Sequence, residues 1–279
     1  MRKTEQKRRA ERFAAMHRGD RILVLPNAWD VISACVLVDA GFQAVATTSG
    51  GCAFALGYCD GEKIPRRDMA AAVRRIAHGV PVPVSADMEA GYGPAPEDVA
   101  ETVRQTLKAG AVGINIEDSD KRNPGRLLDF ALAVERIRAA RAAADAAGIP
   151  MVINARTDGF HYGDDAAVFD EAVRRANAYL AAGALCTFVP FVRDGALIGR
   201  LAAAIDGPMN VLGGPGTPPV RELETLGVRR VTVGSNIAKA AMTLVRRAAE
   251  ELQGPGTYEF ARGAYGQPDM HRMLIKPGG

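Results

Sequence analysis

Several absences narrow what this 279-residue chain can be. It has no uninterrupted apolar run long enough to span a bilayer. Its basic start, Met1 to Arg18, lacks the apolar centre of a signal peptide. We therefore expect a soluble cytoplasmic protein with no membrane partner. The formal net charge is only +3, and no basic cluster is interleaved with aromatic residues, which argues against nucleic acid as a partner. The four cysteines, Cys35, Cys52, Cys59 and Cys186, have neither metal-ligand spacing nor the density of a disulfide scaffold, as a reducing compartment would have it.

What is present is a full core and an alternation. A hydrophobic fraction of 48% suffices for a single large domain. After a helical stretch from Thr4 to His17, strand-like runs lie at Arg21 to Leu25, Gln43 to Thr47, within Pro81 to Gly93, and at Ala111 to Ile116. Four more follow at Pro150 to Ala155, Leu185 to Val189, Met209 to Leu212 and Arg230 to Val233. Helical segments alternate with them: Asp30 to Ala40, Arg66 to His78, Pro96 to Ala109, Leu127 to Ala147, Asp165 to Ala182, Gly195 to Ile205, Val220 to Leu226, and Ser235 to about Leu252. Eight strand–helix units, most strands preceded by glycine, predict a (β/α)8 TIM-type barrel over 1–279. Its core spans about 21–252, with an extra N-terminal helix and a C-terminal helical arm, 253–279, that packs on a neighbour. A doubly wound open sheet would want a G-x-G-x-x-G turn after its first strand, where Pro26-Asn-Ala-Trp-Asp30 stands instead.

The stretch Pro81-Val-Pro-Val-Ser-Ala-Asp-Met-Glu-Ala-Gly-Tyr-Gly93 organises the functional reading. If the strand persists, alternation puts Ser85, Asp87 and Glu89 on one face. Two carboxylates on one face at a strand end need a cation, a proton or an arginine between them, and a divalent metal is the favoured answer. Barrel active sites lie at the C-terminal ends of the strands. The polar residues there include Asn27, Ser49, Asp60, Asp87, Glu89, Asn115, Glu117, Asp118, Asn154, Arg156 and Asp158. No inward strand position is lysine, which disfavours a Schiff-base aldolase.

These residues carry a family resemblance. The motifs are Leu25-Pro-Asn-Ala-Trp-Asp30, Thr48-Ser-Gly-Gly51 with Leu56-Gly-Tyr-Cys-Asp-Gly-Glu62, Ala86-Asp-Met-Glu-Ala-Gly-Tyr-Gly93, Ile116-Glu-Asp-Ser119, Asn154-Ala-Arg-Thr-Asp158 and Val233-Gly-Ser-Asn-Ile237. From Arg21 to Ala241 the chain resembles the isocitrate lyase / phosphoenolpyruvate mutase superfamily. The resemblance implies a barrel, a bound Mg2+ (Mn2+ as a substitute), small anionic 2-oxo carboxylate substrates, and cleavage or formation of a C–C or P–C bond beside an enolpyruvate. It also implies a homotetramer of dimers that swap their last barrel helix. By this resemblance Asp87 is the direct metal ligand, and Glu89, Glu117 and Asp60 hold metal-bound waters. Ser49, Gly50 and Gly51 grip the substrate carboxylate or oxyanion, Arg156 pairs with the carboxylate, and Asn210 lines the far wall.

The departures matter as well. Isocitrate and methylisocitrate lyases carry a Lys-Lys-Cys-Gly-His lid after the fourth strand, whereas this chain reads Ser119-Asp-Lys-Arg-Asn-Pro-Gly-Arg126. The sixth-strand histidine of the mutase is replaced by Phe188-Val-Pro190, which disfavours phosphoryl chemistry. The expectation is a magnesium-dependent lyase or decarboxylase acting on a 2-oxo or malate-type acid. The alternatives are a P–C bond enzyme and a barrel that binds 2-oxo acids without turnover. Lys121, Arg122 and Arg126 read as a solvated lid, Asp158 as a partner orienting Arg156, and Trp29 as packing.

Overall fold

Short runs of valine, isoleucine and alanine, each closed by a polar turn, build a parallel barrel in this computed structural model, which describes residues 1–163 and 166–274. The chain opens with α1 (Lys3–Met16), then a first barrel stave in two pieces, β1 (Leu23–Val24) and β2 (Asn27–Ala28). It continues through α2 (Val31–Asp39), β3 (Val45–Thr47), α3 (Ser49–Ala55), α4 (Arg66–Gly79), β4 (Val84–Asp87) and α5 (Pro96–Ala109). Next come β5 (Gly113–Glu117), α6 (Phe130–Ala146), β6 (Val152–Arg156), the single turn α7 (Gly159–Tyr162) and α8 (Ala166–Ala181). The last third holds β7 (Cys186–Phe188), α9 (Gly195–Ala204), β8 (Met209–Leu212), α10 (Val220–Thr225), β9 (Arg230–Thr232), α11 (Asn236–Gln253) and α12 (Gln267–Leu274). Asp165, the expected first residue of one helix, and the end of the arm beyond 274 lie outside the described residues.

The sheet closes through its split first stave. β1 pairs with β9 (Leu23 with Arg230), β2 pairs with β3 (Asn27 with Ala46), and the remaining strands follow in chain order, all parallel. Pro26 sits at the changeover, where a missing N–H costs nothing: Leu25 still donates to Val231 O, and Pro26 O accepts from Ala46 N. Asn27 then fastens the seam, its Oδ1 accepting from Val233 N and Gly234 N at 2.9 Å each and its Nδ2 donating to Thr47 O at 2.8 Å. The expected (β/α)8 barrel is the observed fold, with α3 and α7 as additional helices.

Helix starts follow local chemistry. Asp30 caps α2 by accepting from Ser33 N at 2.7 Å, while Ser33 Oγ accepts from Asp30 N at 3.1 Å. Pro96 begins α5, and Gly110, at φ +97°, ends it in the left-handed conformation that glycine adopts without steric cost. Two adjacent glycines, Gly50 and Gly51, disfavour helix in the segment 49–55. That segment forms α3 instead, since Thr48 supplies the N-cap and both glycines are needed for close packing. The arm's α12 lies on α2 of its own chain, with Arg272 paired to Asp39. No helix among the described residues is long and apolar enough to cross a membrane.

The N-terminal end of the barrel is plugged by α1. Phe13 is fully buried against Gly113, where a Cβ would come within 2.6 Å of its ring. His17, one turn on, packs edge-on against Phe13 at 4.8 Å and shares its Nδ1 with Phe13 O at 2.8 Å. Burial, and then the nearby Arg230 charge, push the His17 pKa from 6.5 down to about 3. Because the folded pKa lies below the unfolded one, the unfolded chain takes up the proton first, and stability is lost as pH falls from 6.5 toward about 3. Urea unfolding between pH 7 and pH 4 is expected to show a shallower acid loss in His17→Gln than in the wild type. The difference should approach ~1.4 kcal/mol per pH unit over that window.

Candidate active site

Each strand end delivers its side chain through a defined local contact. β4 ends at Asp87, whose N–H donates to Thr47 Oγ1 at 2.9 Å. Asp87 Oδ2 accepts from Ser49 N at 3.0 Å, which ties the carboxylate to the start of α3. Its Oδ1 accepts from Asn115 Nδ2 at 3.0 Å, and Asn115 Oδ1 in turn accepts from Asn154 Nδ2 at 2.9 Å. Asp87, Asn115 and Asn154 are register partners across β4, β5 and β6, so one inward row of amides orients the acid.

Glu89 departs from the alternation expected of it. The strand stops at Asp87, and Glu89 has φ +50°, so a left-handed turn rather than strand parity aims its carboxylate. That conformation is strained for a residue with a side chain, and such strain gathers at functional sites. Glu89 O accepts from Glu117 N at 2.9 Å, which brings the two acids to adjacent strand ends. Burial raises the Glu89 pKa to about 8, and its Oε1 has no hydrogen-bond partner among the described residues.

The cation on these acids comes from the lid, and the sequence reading missed it. Lys121 Nζ lies 2.5 Å from Glu117 Oε1 and 3.3 Å from Glu89 Oε2, so this part of the lid is folded inward rather than solvated. Arg122 and Asn123 do remain on the exposed side, both bonded to Asp120. On the other flank Arg156 Nη1 meets Glu117 Oε2 at 3.1 Å and its Nε meets Asp158 Oδ1 at 2.5 Å. Ser119 Oγ donates to Asp158 Oδ2 at 2.5 Å, as befits an orienting acid, and lies 3.2 Å from Tyr162 Oη. The Arg156 guanidinium lies 5.6 Å from each of the Phe188 and Phe191 rings, and His161 stacks on Phe191 at 4.6 Å. Asp118 turns away from the mouth, held by Tyr179 Oη at 2.7 Å and Arg175 at 3.3 Å.

On the opposite side Asp60 approaches the start of α3. Burial, and then the Asp87 charge, raise its pKa. Gly50 has to be glycine here, because a Cβ would stand 2.8 Å from Ser235 Oγ and 2.9 Å from Asp60 Oδ2. At Gly51 a Cβ would strike Thr48 and Trp29, at 2.6 and 2.8 Å. Two of the amides expected to grip substrate are engaged internally: Ser49 N–H with Asp87, and Gly51 N–H with Thr48 Oγ1 at 3.4 Å.

A cavity of about 210 Å³ lies between these groups, and Ser49, Asp60, Asp87, Arg156 and Asn210 all line it. Asn210 is fully buried, its Nδ2 donating to Thr232 Oγ1 at 3.1 Å. Glu89 and Glu117 stand outside that wall, beneath Lys121. Among the described residues no three His, Cys, Asp or Glu side chains converge closely enough to ligate one ion together. A cation held here would have one or two carboxylates as direct ligands and keep its waters, as magnesium commonly does. Asp87 and Asp60, which line the cavity, are the residues that would hold the ion, with Glu89 and Glu117 behind them. The unpartnered, buried Glu89 Oε1 is the observation in favour of a cation held there.

Comparison with known proteins agrees with this architecture. The sequence profile of the phosphoenolpyruvate phosphomutase family matches residues 13–253. The chain belongs to that family. The family sits in the isocitrate lyase / phosphoenolpyruvate mutase superfamily, as the sequence motifs implied. Among curated members, the oxaloacetate decarboxylase of Rhodopseudomonas palustris (strain BisB18) is 33% identical over 230 residues, covering 81% of this chain and 77% of that protein. The 2,3-dimethylmalate lyase of Eubacterium barkeri is 32% identical over 216 residues, covering 74% and 73%. A crystal structure of a candidate lyase/mutase from Burkholderia cenocepacia J2315 superposes with a TM-score of 0.91 at 38% identity, covering 98% of each chain. Members of this superfamily related to the chain include carbon–carbon lyases.

Asp158 is 2% exposed and holds both Arg156 and Ser119. Its removal leaves a largely buried guanidinium with one partner fewer. Asp158→Ala is expected to cost about 3 kcal/mol in urea unfolding, against well under ~1 kcal/mol for removing the exposed Glu250 that pairs with Arg246.

Proposed function

We propose that the chain is a magnesium-dependent carbon–carbon lyase or decarboxylase acting on a small 2-oxo or malate-type carboxylic acid. The single observation that carries this reading is the meeting of Asp60, Asp87 and Arg156 around one cavity at the C-terminal end of the barrel, with Glu117 paired to Arg156 just outside its wall. A divalent cation held at Asp87 would supply positive charge where an enolate oxygen develops. Arg156 takes the substrate carboxylate, for which the planar guanidinium fork is suited, and Asp158 with Glu117 keeps that fork in place. The Gly50 N–H is the amide of its loop left for a substrate oxygen, since its two neighbours are engaged. The buried Phe188 and the partly exposed Phe191 wall one side of the cavity beside Arg156.

Bond cleavage beyond the neighbouring carbon sends an electron pair toward the oxo group. The chain's part is to hold that oxygen near Asp87 and Ser49, and to keep the site dry while charge accumulates. The Lys121 ammonium balances Glu89 and Glu117, a place that it would yield when a divalent cation binds. The carbon–phosphorus reading is weaker, because Phe188 stands where a further cationic or hydrogen-bonding group would meet a phosphoryl oxygen.

We further propose that the working form is a cytoplasmic homotetramer of dimers that exchange helices. Met242, Leu244, Val245 and Leu252 of α11, with Tyr258 beyond it, expose apolar side chains that a second copy would cover. Light scattering after gel filtration is expected to give four times the 29.5 kDa chain mass, and a monomer at micromolar concentration would exclude the assembly.

Oxaloacetate incubated with the protein and magnesium is expected to yield pyruvate, and chelator should remove that activity. Asp87→Ala should lower kcat/KM by at least ~1000-fold, the order expected when the main charge-stabilising group is lost, with an unchanged circular dichroism spectrum. Wild-type rates in the variant, or turnover indifferent to chelator, would reject the mechanism.

A further inference from the structure

Arg230 is the largest fully buried side chain of the protein, at 2% exposure, and the carbon–carbon chemistry above makes no use of it. It stands at the start of β9 and lines the inner end of the same cavity that Arg156 lines at the mouth. The two arginines share one register line: Arg156 pairs with Phe188, Phe188 with Asn210, and Asn210 with Arg230. Three strand spacings separate them, ~14 Å along the wall, so the two cations bracket the cavity from opposite sides.

Their surroundings differ sharply. Arg156 is met by two carboxylates, whereas no ion pair with Arg230 occurs among the described residues. Its Nη1 meets His17 Nε2 at 3.5 Å, and its Nε has no hydrogen-bond partner among the described residues. His17 cannot help further, because donating Nδ1–H to Phe13 O leaves Nε2 as a neutral acceptor. Cys186, the other close group, is a buried thiol with its pKa pushed up to about 12. The charge of Asp87 reaches Arg230, but both Asp87 oxygens are committed to Ser49 N and Asn115 Nδ2. Burial lowers the guanidinium pKa to about 10, so the charge persists at neutral pH. Ser85 Oγ and Asn154 Oδ1, buried in the same cavity wall, also lack partners.

An isolated buried charge is costly, and proteins satisfy it with a counter-charge. Among the described residues no carboxylate pairs directly with Arg230. We propose that Arg230 makes the inner end of the barrel cavity an anion receptor that takes one small, singly charged anion, a carboxylate or a halide. Ser85 Oγ–H is a second donor on the same cavity wall. The carboxylate can belong to a cavity ligand that also reaches Arg156, or the anion can be free in solution; both satisfy the same guanidinium.

The test compares wild type with Arg230→Met by thermal unfolding and calorimetry, and needs no turnover. Sodium gluconate, a far larger anion than chloride or formate, is the reference at equal ionic strength. Chloride and formate are expected to raise the wild-type melting temperature above the gluconate value and to leave Arg230→Met unmoved. The Met variant, relieved of an unpaired charge, should be at least as stable as the wild type in gluconate. Succinate, binding without reaction, identifies the source. An at least tenfold weaker affinity in Arg230→Met than in wild type assigns the site to a ligand's own carboxylate, and a succinate affinity unchanged by the mutation assigns it to the free anion.

Equal responses of both proteins to chloride and formate would overturn the proposal. So would a Met variant less stable than wild type in gluconate, since the arginine would then be structural. If the variant does not fold, wild-type crystals soaked in bromide decide. An anomalous peak within hydrogen-bonding reach of the Arg230 guanidinium supports the receptor, and its absence removes it.

Discussion

Negative charge crowded at the open end of the barrel governs the rest of the structure. Glu89 and Glu117 are buried, Asp87 is partly buried and Asp60 stays exposed at the rim, and the pKa of Asp60 and of Glu89 is raised. Carboxylates in such a place need positive charge or protons. The fold answers with Arg156 from β6, which Asp158 and Glu117 clamp, and with Lys121 from the lid. The lid is thereby drawn down onto the strand ends by electrostatics, without the cysteine and histidine that related lyases carry in this segment. A site that pulls its own lysine onto two acids is one in which a cation has work to do.

Much of this was legible from residue order. Strand runs closed by polar residues gave the barrel its eight staves, and Pro96 to Ala109 was bounded correctly because proline starts and glycine ends that helix. The rim acids and Arg156 were legible because parity within β4, β5 and β6 puts Asp87, Asn115, Glu117, Asn154 and Arg156 inside. Glu89 was reached for the wrong reason: alternation does not foresee a residue at φ +50°. Lys121 was out of reach because lid segments carry no periodicity, and its role depends on a contact between two separate strand ends. The helix at 49–55 was hidden by its glycines, whose purpose is to let Asp60, Ser235 and Trp29 approach. Nothing in the run Arg229-Arg230-Val231 tells which arginine points inward; only the register with Asn210 does.

The barrel interior is unusual in being polar through its depth. Asn27, Asn115, Asn154, Asn210 and Thr232 occupy positions that apolar layers commonly fill in such barrels. Amide-to-amide and amide-to-hydroxyl bonds satisfy most of these groups, including Asn154 to Asn115 at 2.9 Å and Asn210 to Thr232 at 3.1 Å. Hydrogen-bond networks of this kind, in a low-dielectric setting, hold side chains in single orientations. The apolar driving force has moved outward, to the layer between strands and helices, where the valine, isoleucine and methionine of α4, the valine and leucine of α5 and the alanine-rich face of α6 pack on valine and isoleucine.

The seam between the first and last staves has a consequence for how the molecule comes into being. Leu23 waits for Arg230 as its neighbour, so the ring stays an open, curling ribbon until nearly the whole chain has left the ribosome. Contacts of such long sequence separation are slow to form, and until then two bare ribbon edges are exposed to other chains. Asn27, which bonds to Val233 and Gly234 across that seam, acts as the clasp that ends this vulnerable interval.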